Sequence, residues 1–143
     1  MTPDPSELGR FVAAQDDKYA RVCAELAAGR KLTHWMWFIF PQLAGLGSSP
    51  MAQLYALSGI AEARAYRAHP LLGPRLQECT SLVNAVRGST ALEVFGSPDH
   101  LKFRSSMTLF ARAAGAGSVF DVALTKYFDG EPDPLTLSLL GEK

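Results

Sequence analysis

The stretch Thr33-His-Trp-Met-Trp-Phe-Ile-Phe-Pro-Gln-Leu-Ala-Gly-Leu-Gly-Ser-Ser-Pro50 constrains this chain more than any other. It holds both tryptophans, two of the eight phenylalanines, one of the three histidines and two glycines. Every residue from Trp35 to Phe40 is apolar. With Thr33 as prospective N-cap and Pro41 as stop, the run predicts a short helix through Phe40 that is surrounded on nearly all sides. The turn Gly45-Leu-Gly-Ser-Ser follows, and Ser49-Pro50 reads as cap and first residue of the next helix. An aromatic block running into a glycine turn can both build a core and line a pocket.

A run of this kind needs a globular domain around it. The chain has 143 residues, the length of one domain over 1–143, and can bury roughly two-thirds of its unfolded surface without a disulfide or metal. Hydrophobic residues make up 48% against 20% charged, which excludes a disordered chain. Lys and Arg total 14, as do Asp and Glu, so the broad basic footprint of a duplex nucleic-acid binder is missing. What remains is a local grouping of Arg10, Arg21, Arg30 and Lys31. Cys23 and Cys79 each sit in an apolar-periodic segment and read as reduced thiols of a cytoplasmic protein. The histidines are scattered and no CxxC occurs, so no metal and no cofactor are expected. The acidic, proline-containing opening does not resemble a signal peptide, and Trp35–Phe40 is far too short to span a membrane.

The periodicity elsewhere is helical. Leu8, Phe11, Val12, Tyr19, Val22, Cys23 and Leu26 form one stripe and predict a helix over 6–28, closed by Gly29 in the left-handed conformation. Gln15 falls on that stripe and needs a partner: a buried tie to a neighbouring helix, or a ligand. Ser58 is the expected cap of a helix through Ala68. A helix over 71–87 follows the His69-Pro70 break, and a short piece covers 91–95. Ser97-Pro98-Asp99 reads as the cap, proline and acid of a long helix to about Ala114. Ser118 with Asp121, and Asp133 with Pro134, open the last two helices. No strand pattern appears. The expected fold is mainly α, a single compact domain of about seven or eight short helices.

Three places could carry chemistry. Lys102, Ser105 and Ser106 share one face of the long helix, with Asp99 a turn earlier. A partly desolvated Lys102 amine there would act as a nucleophile; the alternative is a surface lysine. His34, at the start of the aromatic helix, suits an acid, a base or a structural donor. Of Trp35 and Trp37, one belongs to the core and the other can stack on a planar ring, whose edge Gln42 can read. The backbone of Gly45, Gly47, Ser48 and Ser49 suits an anion, and equally a plain interhelical turn. His100, Lys126 and Asp129 read as solvated.

The strings HWMWFIFPQLAGLGSSPM, HPLLGPRLQEC, FGSPDHLKFRSSMTLFARA and VFDVALTKYFDGEPDPLTLSLL resemble the bacterial DUF1810 family over about residues 11–140. Members often carry a calpastatin-like label, yet this composition is compact rather than repetitive and offers no support for protease inhibition. A more distant resemblance is to the NADAR domain, an N-glycosidase and ADP-ribose-linked family. Its pieces come in a similar order: Thr33-His34-Trp35, Ser48-Ser-Pro-Met, His69-Pro-Leu-Leu, Phe95-Gly96 and Met107-Thr-Leu-Phe. Thr33 stands where that family has an acid, and Phe95 where it has a tryptophan.

This resemblance implies a NADAR-like arrangement and a nucleotide- or ADP-ribose-like ligand, with hydrolysis of an N-glycosidic bond as the activity. Lys102 and His34 would be catalytic. Trp35, Trp37, Gln42, Gly45, Gly47, Ser48, Ser49, Asp99, Ser105 and Ser106 would surround the ligand. The rival expectation is a non-catalytic helical binding module for a small molecule or protein. Duplex nucleic acid and membrane are not expected partners.

Overall fold

The computed structural model describes residues 5–141, with side chains from Glu7 onward. The apolar stripe expected to form one helix over 6–28 forms two, α1 (Pro5–Gln15) and α2 (Tyr19–Ala27). The chain turns at Asp16-Asp17-Lys18, where Lys18 N donates to the Gln15 carbonyl at 2.9 Å instead of reaching back four residues. Aspartates are weak in helix interiors because their side chains compete for the backbone. The bend lets both halves of the stripe reach the core, with Leu8 and Phe11 buried on α1 and Val22 and Leu26 on α2. Gln15 stands at the break and is fully enclosed. Its Nε2 donates to the Phe38 carbonyl at 2.6 Å and to the Tyr66 hydroxyl at 3.0 Å, and its Oε1 accepts from Arg75 at 3.2 Å. The amide is a tie between helices, and no ligand is needed to satisfy it.

Gly29 ends α2 with φ +80°, and Arg30 N donates to the Glu25 carbonyl at 3.0 Å while Gly29 N donates to that of Leu26 at 3.0 Å. That paired closure is the Schellman motif, and a Cβ at the left-handed position would be strained. The aromatic helix α3 is shorter than the run suggests, Met36–Ile39, and Thr33 does not cap it. The Thr33 hydroxyl donates instead to Glu25 Oε2 at 2.6 Å, so its oxygen faces a carboxylate rather than the first turn of α3.

Next come α4 (Pro50–Leu54), α5 (Ile60–Ala68), α6 (Leu72–Ala85) and α7 (Ala91–Phe95). The last three are α8 (Asp99–Ala114), α9 (Val119–Phe128) and α10 (Pro134–Leu139). The described residues thus form ten helices, several of about one turn, where about seven or eight are expected. Ser49, Ser118 and Asp133 cap α4, α9 and α10 as their sequences imply, each accepting from a backbone N–H three residues on. Ser58 and Ser97 do not cap. At α5 the cap position is Gly59, and Glu62 reaches back past it to accept from Ser58 N at 2.8 Å. At α8 the cap position is Pro98, which has no side-chain acceptor. Lys126 is not idle on the surface, for its ammonium donates to the carbonyls of Asn84 and Val86 at the carboxyl end of α6, where the helix dipole favours a cation.

Helix α8 is the centre of the domain. It packs on α5, α7, α9 and α10, and Phe103 and 105–111 are all buried. The aromatic run meets it edge-on: Phe40 and Phe103 lie 5.0 Å apart at 82°, and Phe95 stacks on Phe103 at 4.5 Å. Trp35, Met36, Phe38, Ile39 and Phe40 are all at most 4% exposed, so the expected burial of this run is observed. Trp37 is the exception, partly buried and packed against the core. Among the described residues the only β pairing is an isolated bridge between Leu43 and Leu57, which folds the glycine turn back beside the start of α5.

Candidate ligand site

The site begins with a carboxylate that sequence reasoning passed over. Glu25 lies on the apolar stripe of α2, one residue before Leu26, and is 7% exposed. Its Oε1 accepts from Leu32 N at 2.7 Å, Thr33 N at 3.1 Å and Trp35 Nε1 at 2.9 Å, and its Oε2 from the Thr33 hydroxyl at 2.6 Å. Burial by itself would raise the carboxyl pKa, but the donors outweigh it and hold the value at about 2. Glu25 is therefore a fixed anion that pins the loop into α3. A charged residue on a buried helical stripe was the available signal.

Beside this anchor, three charges and two indoles come together. Lys31 Nζ is 2.8 Å from Asp99 Oδ2, and Lys102 Nζ is 3.5 Å from Asp99 Oδ1. Each ammonium also lies over an indole: Lys31 is 5.2 Å from the Trp35 ring centre, and Lys102 is 5.4 Å from that of Trp37. The Lys31 side chain is 7% exposed, so its charge depends on Asp99. Asp99 suits the position for a local reason as well, since it occupies the first turn of α8, where the helix dipole favours a carboxylate. Lys31 is placed by its backbone, whose N–H donates to the Val94 carbonyl at 2.7 Å. Two ammonium groups thus share Asp99 above a pair of indoles, with the Glu25 carboxylate joined to the same group through Trp35.

On the other side of Trp35 is a hollow of about 410 Å³ lined by Asp17, Lys18, Arg21, Thr33, His34 and Trp35. His34 and Arg21 are exposed there. Lys102 does not line this hollow. His34 and Lys102 belong to two groups that meet at Trp35, which lines the hollow and carries Lys31 over its ring.

The remaining residues singled out from sequence have other surroundings. Ser49 Oγ accepts from Ala52 N at 3.1 Å, and the Ser48 carbonyl accepts from Gln53 Nε2 at 2.9 Å. Gly45 faces Leu139 of α10, and a Cβ at Gly47 would come within 2.6 Å of the Ala52 Cβ. The turn is thus closed by its own packing and caps a helix of five residues. The Gln42 carbonyl accepts from Leu57 N at 2.9 Å, and its side chain is half-buried. The Ser105 hydroxyl donates to Asp133 at 2.9 Å and to the Leu101 carbonyl at 3.2 Å, clipping α10 to α8. The Ser106 hydroxyl is fully buried with no hydrogen-bond partner among the described residues. Of the residues expected around the ligand, the structure brings together Lys102, Asp99, Trp35 and Trp37, and adds Lys31. Among the described residues no group of three His, Cys, Asp or Glu could hold a metal ion.

Fold and site together define a single helical domain with an indole-lined shelf beside a small polar hollow. The chain belongs to the family described as "Protein of unknown function (DUF1810)", which matches residues 5–140. It is similar to the conserved hypothetical protein Rv1873 from Mycobacterium tuberculosis, known from a crystal structure. The two share 56% identity and a TM-score of 0.94, over 98% of this chain and 100% of the other. No curated protein matches the chain. No helix among the described residues is long and apolar enough to cross a membrane.

Proposed function

We propose that the domain binds a nucleotide- or ADP-ribose-like ligand on the shelf of Trp37, Lys102, Asp99 and Lys31. The observation that carries this reading is one carboxylate shared by two ammonium groups, each above an indole. A planar ring stacks on the accessible part of Trp37, and a phosphate meets the Lys102 ammonium. His34 and Gln42, at the two ends of the aromatic run, offer polar groups to the ring edge and sugar. Hydrolysis of an N-glycosidic bond, with Lys102 as amine and His34 as proton carrier, extends the proposal, as does a NADAR-like arrangement of the helices. The two free thiols fit a cytoplasmic setting.

A second reading, binding without turnover, is favoured by the state of Lys102. Its contacts with Asp99 and Trp37 are those of an ammonium, whereas an imine-forming amine must be neutral. Calorimetry and thermal shift with ADP-ribose and nucleoside phosphates test the binding. Ligand should raise the melting temperature by mass action, and Trp37→Ala should weaken affinity about tenfold, the loss of one stacked ring. No response to nucleotides, sugar phosphates or ADP-ribose at millimolar concentration would overturn the shelf as their site. Release of free base by wild type but not by Lys102→Met supports hydrolysis. Binding with no base released leaves the plain binding module.

A further inference from the structure

We infer that the hollow beside Trp35 is a phosphate monoester site formed by Arg21, Lys18 and His34. This deepens the ligand reading above by naming the group that lies beyond the shelf. Three arginines are tied into the fold: Arg10 donates to the carbonyls of Leu54 and Ala56, Arg75 to Gln15 and Asp16, and Arg104 to the carbonyls of Glu131 and Pro132. Arg21 makes no hydrogen bond or ion pair among the described residues, and neither does His34, yet both line one hollow. Lys18, also on its rim, touches only its neighbour Asp17, at 3.4 Å, through two well-exposed side chains. Such contacts are weak and readily exchanged.

The floor of the hollow is fixed while its donors are not. Thr33 and Trp35 give their hydroxyl and indole N–H to Glu25, so they shape the hollow without competing for a ligand. The Glu25 oxygens accept from four neutral donors and take no bond from Arg21, Lys18 or His34. What is left over is a guanidinium, an ammonium and an imidazole on separate side chains. A carboxylate presents two oxygens in one plane and is matched by a single guanidinium fork. Donors on three side chains suit the three free oxygens of a terminal phosphate, and a diester keeps only two. The glycine turn before α4, the place the sequence suggests for an anion, has its first-turn N–H at Ala52 already taken by Ser49.

The test compares adenosine, adenosine monophosphate and inorganic phosphate on the full chain, by calorimetry and by the ring signals of His34 in proton–nitrogen NMR. The monophosphate should bind about tenfold tighter than adenosine, the increment of a charge-assisted contact. Arg21→Gln should remove that difference and leave adenosine unchanged, while Trp37→Ala should weaken both. Arg21 is exposed, so the variant folds, and Lys18→Gln, at another exposed residue of the rim, is a second variant with the same expectation. A His34 response to inorganic phosphate that is lost in Arg21→Gln supports the hollow even if adenosine and the monophosphate do not bind, in which case only the shelf reading falls. An unchanged preference for the monophosphate in both variants overturns the inference. So does a phosphate response that bypasses His34.

Discussion

The indole Nε1 of Trp35 donates to Oε1 of Glu25 at 2.9 Å, joining the start of the aromatic run to the last turn of α2. This bond fixes which way Trp35 faces, and so fixes both the Lys31 contact over its ring and the hollow it lines. The same carboxylate also holds Thr33, so one anion sets the entry into α3.

That dependence makes stability sensitive to acid. Glu25 titrates at about 2 in the folded protein against 4.5 for an ordinary glutamate, because its donors outweigh its burial. A depressed folded-state pKa gives stabilisation that is fully present above the unfolded value and is lost as pH falls through the folded one. The contribution, on the order of 3 kcal/mol, should therefore fade between about pH 4.5 and pH 2. Glu25→Gln should be less stable at neutral pH and should lose less of its stability across that window, as read by denaturant melts at a series of pH values. Equal acid sensitivity in the two proteins would rule the linkage out.

Removing Asp99 should cost more than removing Lys31. Asp99→Ala leaves the Lys31 ammonium enclosed with no counter-charge, a change worth about 2 kcal/mol or more. Lys31→Met removes the buried charge itself and keeps an apolar stem over Trp35, so its effect should be smaller. The double variant should recover part of the Asp99→Ala loss. Urea unfolding of the four proteins gives the coupling directly, and strict additivity would show that the pair does not interact.

Phe38 and Trp37 are adjacent in the aromatic run and differ in burial, the first enclosed at 4% exposed and the second only partly buried. Phe38→Ala should destabilise by about 3–5 kcal/mol through the cavity it leaves. Trp37→Ala should cost less in stability and show its effect in ligand affinity. Calorimetric melting separates the two, and a reversed order would remove Trp37 from the shelf.

Ser106 is a buried hydroxyl without a partner among the described residues. Leaving a polar group unsatisfied costs about 1–3 kcal/mol. Ser106→Ala should accordingly be neutral or stabilising, whereas Ser105→Ala should destabilise by about 1 kcal/mol through loss of the Asp133 contact. Thermal melts of the two variants make the comparison, and a large loss in Ser106→Ala would reveal a partner for that hydroxyl.

The neighbouring serines show how far sequence reaches. Both fall on a helix that the spacing places correctly, and both were expected beside Lys102. One instead clips α10, and the other is enclosed in the core. Helical spacing assigns residues to faces, but which face meets another helix depends on partners far along the chain. The same holds for Thr33, a reasonable cap by its residue type, which Glu25 draws away. Trp37 is the converse case: of the two tryptophans one was expected in the core, and the packing decided that it is Trp35, with Trp37 only partly buried.

The sequence by itself determined the helical class, the stop after α2, the caps at Ser49, Ser118 and Asp133, and the burial of the aromatic run. These rest on periodicity and on hydrogen bonds that span three to five residues, so the local string contains all the participants. Only the tertiary structure decided that Lys31 and Lys102 share Asp99, that Glu25 anchors Trp35, and that Arg21 and His34 face one hollow. The energy of a buried charge depends on what surrounds it in space. Lys31 finds its counter-charge on α8, and that meeting exists only once α2, α3 and α8 have packed.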